Sequence, residues 1–213
     1  MDATLKSIPL DVDTIRDIVN DIIQIDLDDD ITFELLDIVD IREEDEYGGF
    51  KINIVGHMEN LRIHIALELT TGDKITPREM TYNYNCIFDD KKIPIMAYTM
   101  ETLLAEKLQT VISRGVLNTR MKDFYDIYML VNYNLDKVNI DTLKMAIKNT
   151  FEYRNTSYDY DYMISQINEI QNNNDMQNMW KNYQKSAIYA KGIEFEQLFD
   201  TLNKLIDIVK EMP

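Results

Sequence analysis

A single cysteine, Cys86, rules out an internal disulfide and any multi-cysteine zinc site; it fits a reducing compartment and reads as a small core side chain. Basic residues are scarce, with 22 Lys and Arg against 38 Asp and Glu, a net charge of −16. Such a charge opposes unspecific attraction to phosphate backbones or anionic lipid, so any nucleic-acid contact must come from a local patch. No segment approaches the roughly 20 apolar residues of a membrane span, and the opening MDATLKSIPL lacks the apolar stretch of a signal peptide, so the expected location is the cytoplasm, with no membrane partner. Only two histidines occur, His57 and His64, too sparse for a zinc claim. What is present is 45% hydrophobic residues in 213, enough for one substantial core or two small ones.

The first half has mainly the period of strands. From Leu61 to Thr70 the residues Leu61, Ile63, Ile65, Leu67 and Leu69 alternate with Arg62, His64, Ala66, Glu68 and Thr70, which predicts one core face and one polar face. Ile31 to Ile41 and Phe50 to His57 precede it, joined by an acidic loop ending in Gly48-Gly49, and together they predict an antiparallel meander. A helix over about 12 to 25 comes before them, with Ile15, Ile18, Val19, Ile22 and Ile23 at helical spacing and Asp11 or Asp13 as its cap. A hairpin is expected around Asp89-Asp90. Beyond Tyr98 the period is helical, with helices at about 100–113, 120–132, 139–151, 160–171, 175–186 and 194–211. The run Asn172 to Asn174 reads as a turn before a cap at Asp175.

The segment LLAEKLQTVISRGVLNTRMKDFYDIY, positions 103 to 128, places Lys107 inside the apolar stripe of Leu103, Leu104, Leu108, Val111 and Ile112. Either its methylene stem packs while the ammonium reaches outward, or it meets an anion in a cleft. Lys107, Arg114, Arg120 and Lys122 follow one another with no acid between them, a local cationic stretch suited to a phosphate-bearing ligand. Asp123 and Asp126 come next, at the i, i+3 spacing of one helical face. They can complement the helix dipole and pair with Arg120 or Lys122, or they can orient Lys107 or an attacking hydroxyl.

AEKL, SRG and RMKDFYDIY together are similar to the signature of the AbiEii/AbiGii toxins, nucleotidyltransferase-fold proteins of abortive phage resistance and toxin–antitoxin systems. LELTTGDKITPREMTY, positions 67 to 82, resembles that family's segment around a strand ending in Thr-Gly-Asp, and the likeness covers nearly the whole chain. It implies that Lys107 is the lysine of the third motif and that Asp123 and Asp126 are the acids of the fourth. MDATLKSIPL resembles the metal motif Asp-x-Asp entered at its second aspartate, Asp2, so the first would lie upstream of Met1. The Gly-Gly-Thr or Gly-Ser segment that cradles the triphosphate would be missing too, since the first of only 6 glycines is Gly48. Glu68 stands where the family often has an aspartate and can supply a further acid or remain a solvated strand residue.

The resemblance implies transfer of a nucleotide from an NTP to an acceptor such as RNA or the acceptor end of tRNA, with Mg²⁺, and a cognate antitoxin as partner. One carboxylate alone is a poor magnesium site, so the chain by itself is expected not to hold the metal; the alternative is a non-catalytic remnant acting as a binding module or inert fold. The expected fold is α+β: an incomplete nucleotidyltransferase-like mixed or antiparallel sheet with an N-terminal helix over residues 1–97, then a helical domain over 98–213. A sheet lacking its first strands predicts self-association through the open edge. Asp26, Asp28 and Asp30 have calcium-loop spacing, but Ile31 stands where such a loop needs glycine. Tyr158-Asp159-Tyr160-Asp161-Tyr162 reads as a helix start with packed tyrosines.

Overall fold

A computed structural model describes residues 2–6, 8–41, 48–71, 74–87 and 90–210. The chain divides into two compact units, Met1–Asp73 and Lys74–Pro213. The fold class is α+β, as the change of hydrophobic period near Tyr98 predicts.

The first unit holds β1 (Asp2–Leu5), α1 (Val12–Ile23), β2 (Thr32–Ile41), β3 (Gly49–Met58) and β4 (Leu61–Thr71). The sheet order is β1-β4-β3-β2, antiparallel throughout the meander and parallel only where β1 joins β4. Asp11 caps α1, its Oδ1 accepting from the Thr14 amide at 2.9 Å and its Oδ2 from the Thr14 hydroxyl at 2.7 Å. Ile15 and Val19 bury against Ile52 of β3 and Leu69 of β4, with Ala3, Leu35, Phe50 and Leu67 around them.

The expected core face of β4 is realised only toward its end. Leu69 is buried, whereas Leu61 and Ile63 are 55% and 52% exposed. A 12-residue helix is about 18 Å long, while an 11-residue strand runs about 36 Å, so α1 can cover only part of the sheet. Ile22, expected on the apolar face of α1, is also exposed. Leu36 is the extra residue where the β2–β3 register shifts between Leu35 and Asp37, and the bulge turns it outward. The edge strand β2 carries Glu34, Asp37 and Asp40, charges that discourage unspecific edge pairing.

The Asp26–Asp30 segment is a turn, with Asp28 and Asp30 at φ 56° and 57°, the Asp28 amide donating to Asp26 Oδ1 and the Ile31 amide to Asp29 Oδ1. The acidic loop before Gly48 and the Gly72-Asp73 turn lie outside the described residues, as does Asp89.

The second unit opens with the hairpin β5 (Met80–Asn85) and β6 (Lys92–Ala97), followed by α2 (Met100–Arg114), α3 (Met121–Asn134), α4 (Ile140–Tyr153), α5 (Tyr160–Gln171), α6 (Asn174–Ser186) and α7 (Phe195–Lys210). The hairpin thus falls in the second unit, with the helices. A knot of threonines ties its approach to α2: the Thr76 amide donates to the buried Thr102 Oγ1, and the half-buried Thr99 and buried Thr102 hydroxyls donate back to the Thr76 carbonyl. Cys86, read as a core residue, is only half-buried just past β5, because the hairpin's side chains are exposed over its length.

One continuous apolar core joins the helices, with Leu104, Leu108, Ile112, Phe124, Phe151, Trp180 and Phe199 all essentially inaccessible. Asp159 caps α5, and Tyr158 packs on Phe151 while the Tyr160 hydroxyl donates to Asp207, so the Tyr-Asp alternation is a packed helix start. No helix among the described residues is long and apolar enough to cross a membrane.

The cap of α6 is Asn173 rather than Asp175. Its Oδ1 accepts from the amides of Asp175 and Met176 at 2.9 and 3.1 Å, and Asp175 instead takes a first-turn position favourable to the helix dipole. Replacing Asn173 by Ala removes an acceptor from two amides and is expected to cost about 1 kcal/mol, lowering the thermal midpoint by about 3 °C, whereas Asp175→Ala should shift it by less than half as much.

Candidate functional site

The stripe of α2 that faces the core consists of Leu104, Ala105, Leu108, Val111 and Ile112, and Lys107 sits at its rim with one-fifth of its side chain accessible. Its ammonium neither reaches freely into water nor stands alone: Nζ lies 2.9 Å from Asp123 Oδ1 and 2.7 Å from Asp126 Oδ2. The i, i+3 spacing on α3 sets both carboxylates toward α2, as expected of adjacent positions on one helical face. Burial works against the lysine's charge, but the charges and hydrogen bonds of Asp123 and Asp126 prevail and raise its pKa above the ordinary value of 10.5. Two carboxylate contacts leave one of the three ammonium N–H groups for a further anion.

The surrounding cations are less available than the sequence suggests. Arg120 Nε lies 3.5 Å from Asp123 Oδ2, and Lys122 Nζ lies 2.7 Å from Asp126 Oδ2. Three of the four cations of the segment therefore share two acids, and the combined charge of that group is +1. Arg114, half-buried at the last turn of α2, stands on the side of the helix end where a cation complements the dipole.

Two residues that sequence reasoning passed over position this group. Gly115 ends α2 at φ 52°, ψ −133°, a backbone conformation open in practice only to glycine, and a Cβ there would stand 2.9 Å from the Gln166 side chain. The glycine of the SRG motif thus sets the direction in which the chain leaves Lys107's helix. Asn118 follows, fully buried, its Oδ1 accepting from the Arg120 amide at 2.8 Å and so fixing the entry to α3. The positive φ of a glycine directly after a periodic helix was a legible signal; the bond from the Arg120 amide to buried Asn118, three residues before α3, was not.

A tyrosine cluster adjoins Asp126. Tyr125 of α3 packs on Tyr189, with ring centroids 4.8 Å apart, and the Tyr189 and Tyr183 hydroxyls are 2.9 Å apart. Burial, the bond to Tyr189 and the charge of Asp126 together raise the pKa of Tyr183.

In the first unit, β1 sets Asp2 opposite Glu68 of β4 in the parallel register, with Thr4 opposite Thr70 and their hydroxyls 3.4 Å apart. Glu68 is exposed. Among the described residues no group of three or more acids, histidines or cysteines gathers closely enough to hold a metal by itself. His57 pairs with Glu34 at 3.1 Å across β2 and β3, and His64 is exposed on β4.

Replacing Lys107 by Met leaves two facing carboxylates without their shared cation, an expected loss of about 2 kcal/mol in urea unfolding near neutral pH. Because the folded pKa of Lys107 is raised, its contribution is fully present below the unfolded lysine pKa and is lost as pH rises through the folded one. The stability difference between the wild type and Lys107→Met should therefore hold constant from about pH 7 to 10 and shrink above it.

No curated protein matches the chain in sequence. Two solved structures from Helicobacter pylori are similar to it: one proposed to be a nucleotidyltransferase, at 15% identity with a TM-score of 0.36, the match covering 84% of this chain and 68% of that one; and JHP933, at 16% identity with a TM-score of 0.39, covering 84% and 66%. The family described as nucleotidyl transferase AbiEii toxin, Type IV TA system, matches residues 1–201. With that match over nearly its whole length, the chain belongs to the AbiEii nucleotidyl transferase toxin family of type IV toxin–antitoxin systems.

Proposed function

We propose that the protein transfers a nucleotide from an NTP to an RNA acceptor, such as the acceptor end of tRNA, in the cytoplasm, and that a cognate antitoxin restrains it. The observation that carries this is the Lys107 ammonium gripped by Asp123 and Asp126, an oriented cation with one donor to spare. Phosphoryl and nucleotidyl transfer depend on placement and charge stabilisation more than on covalent chemistry by the protein. Lys107 would bind a phosphate oxygen of the NTP; Asp123 and Asp126 hold the ammonium charged and directed, with Asp126 also available to the acceptor. Arg114, Arg120 and Lys122 would add a weaker cationic surround, since Arg120 and Lys122 are partly spent on the same two acids.

A magnesium ion would be held together with the triphosphate. Asp2 and Glu68, register partners on adjacent strands, would supply two carboxylates, and Mg²⁺ is commonly bound by one or two carboxylates with the remaining positions taken by phosphate and water. When bound, the ion would neutralise charge developing on the phosphates.

The test is incorporation of labelled NTP into RNA by the full-length protein. Activity should depend on Mg²⁺ and fall about 100-fold in Lys107→Ala, the size expected for losing one preorganised charge contact to the transition state, with thermal melts confirming that the variant remains folded. Equal activity of folded wild type and variant would remove the lysine from the mechanism.

Self-association through an open edge of the sheet also belongs to this proposal, and at β2 it would have to overcome the acids of that strand. Light scattering on the wild type should show a species larger than the monomer that salt favours, because Glu34, Asp37 and Asp40 repel their copies less when screened. A monomer at every concentration and ionic strength would count against it.

A further inference from the structure

The two sheets differ in how their outer strands are guarded. Exposed strand edges in soluble proteins are ordinarily protected by charge, proline or a bulge. β2 carries Glu34, Asp37 and Asp40 together with its register shift, and β6 carries Lys92 and Pro94. β5, MTYNYN, has no charge, no proline and no glycine, in a chain that is 28% charged. All of its residues are exposed.

Hydrogen bonding within the hairpin decides which peptide groups that edge offers. The Cys86 amide donates to the Lys91 carbonyl at 3.0 Å, and bonded and non-bonded pairs alternate along an antiparallel ladder. The register therefore bonds Tyr84 to Ile93, Tyr82 to Ile95 and Met80 to Ala97, and turns the peptide groups of Thr81, Asn83 and Asn85 outward. On the opposite strand the outward set is Lys92, Pro94 and Met96, and Pro94 has no N–H to give. Among the described residues β5 pairs with β6 alone, and no backbone bond elsewhere uses its outward groups.

We propose that β5 pairs antiparallel with β5 of a second copy of this chain, about a two-fold axis at Asn83, joining two hairpins into one four-stranded sheet. The strand is self-complementary in that register. Asn83 faces the partner's Asn83 and Thr81 faces the partner's Asn85, so each outward N–H meets an outward carbonyl. Tyr82 falls opposite the partner's Tyr84 at the closer, non-bonded positions, an aromatic cross-strand pair made twice. Met80, Ile93 and Ile95 share that face, and these five side chains are each 40 to 48% exposed. Together they form an apolar patch of roughly 450 Å², within the range of the largest patches on monomers, which are often functional.

Charge favours a second copy at this place over others. Two chains of net charge −16 repel, and the strands of the hairpin bring no acid to the contact. The two-fold also sets Arg78, exposed at the base of one hairpin, alongside the turn of the other, where Asp90 is exposed. Pairing over six residues a side stays below the roughly 800 Å² per partner of a standard interface, so the dimer is a weak one, with a dissociation constant on the order of 10 μM. The dimer depends neither on nucleotide transfer nor on the edge of β2.

The test is sedimentation equilibrium of the full chain over about 1 to 200 μM, where the average mass should rise from one chain toward two. Asn83→Lys sets two ammonium groups against each other on the axis, leaves the bonds to β6 in place, and should weaken association at least about tenfold. The register is tested in a Cys86→Ser background. A mixture of Tyr82→Cys and Tyr84→Cys copies puts two thiols at a Cα separation of about 4.5 Å, within disulfide range, and should cross-link under mild oxidation at least about fivefold faster than either variant alone. A wild type that stays monomeric would overturn the proposal and leave the edge to a strand of another protein. Undiminished association of an Asn83→Lys variant with unchanged melting temperature would overturn it in favour of the β2 edge. Equal cross-linking in all three samples would overturn it as well.

Discussion

The pairing of one ammonium with two carboxylates governs the arrangement of the helical unit's polar groups. Lys107 stands beside the fully buried Leu104, Leu108 and Val111 of its helix, and a lone charge there would be driven toward neutrality. Asp123 and Asp126 meet it from the next helix at 2.9 and 2.7 Å, and the joint effect is a lysine that holds its proton more firmly than in water. The geometry needs α3 to present one face to α2, and that depends in turn on how the chain turns between them. Gly115 makes the turn with a backbone conformation that side chains disfavour, and buried Asn118 accepts from the amide of Arg120, the residue before α3. The polar site and the apolar core of α2 and α3 are therefore one packing solution, since Leu104 and Leu108 on one side and Phe124 and Ile127 on the other bring the helices close enough for the charges to meet.

The distribution of positive charge separates into two kinds of surface. Around α3 the cations are matched by acids, so the site is stiff, nearly neutral and suited to gripping one anionic group through a single free donor. At the end of α6 Lys181, Lys185 and Lys191 are unmatched and exposed, around a hollow whose far wall is held by side-chain bonds to backbone carbonyls. A paired cation is oriented but mostly satisfied; an unpaired one is available but mobile.

The first unit is organised by a different constraint. Its one helix is too short to cover a sheet of 10- and 11-residue strands, so burial concentrates where Ile15 and Val19 meet Ile52 and Leu69, near the junction of β3 and β4 with β1. The parallel addition of β1 to β4 brings the opening residues of the chain into register with the end of a strand 66 positions later, which aligns Asp2 with Glu68. Apolar residues beyond the reach of α1, Leu61 and Ile63 among them, keep the alternation of a core strand without the burial.

Local periodicity by itself determined the existence, type and approximate limits of the three meander strands and of the seven α-helices among the described residues, because period 2 and period 3.6 are written into neighbouring residues. It also determined that Asp123 and Asp126 share a face and that Lys107 stands out of place in an apolar stripe. Only tertiary structure decided that these three are partners, that Arg120 and Lys122 draw on the same acids, and that the hairpin joins the helical unit through buried Thr76 and Thr102 and half-buried Thr99. It likewise decided that half the apolar face of β4 stays open and that Lys191 turns back toward Lys181 and Lys185. The physical reason is common to all of them: each depends on which surfaces meet between segments distant in the chain, and the free energy of such meetings is set by helix length, turn conformation and charge pairing across elements, none of which appears in the period of one segment.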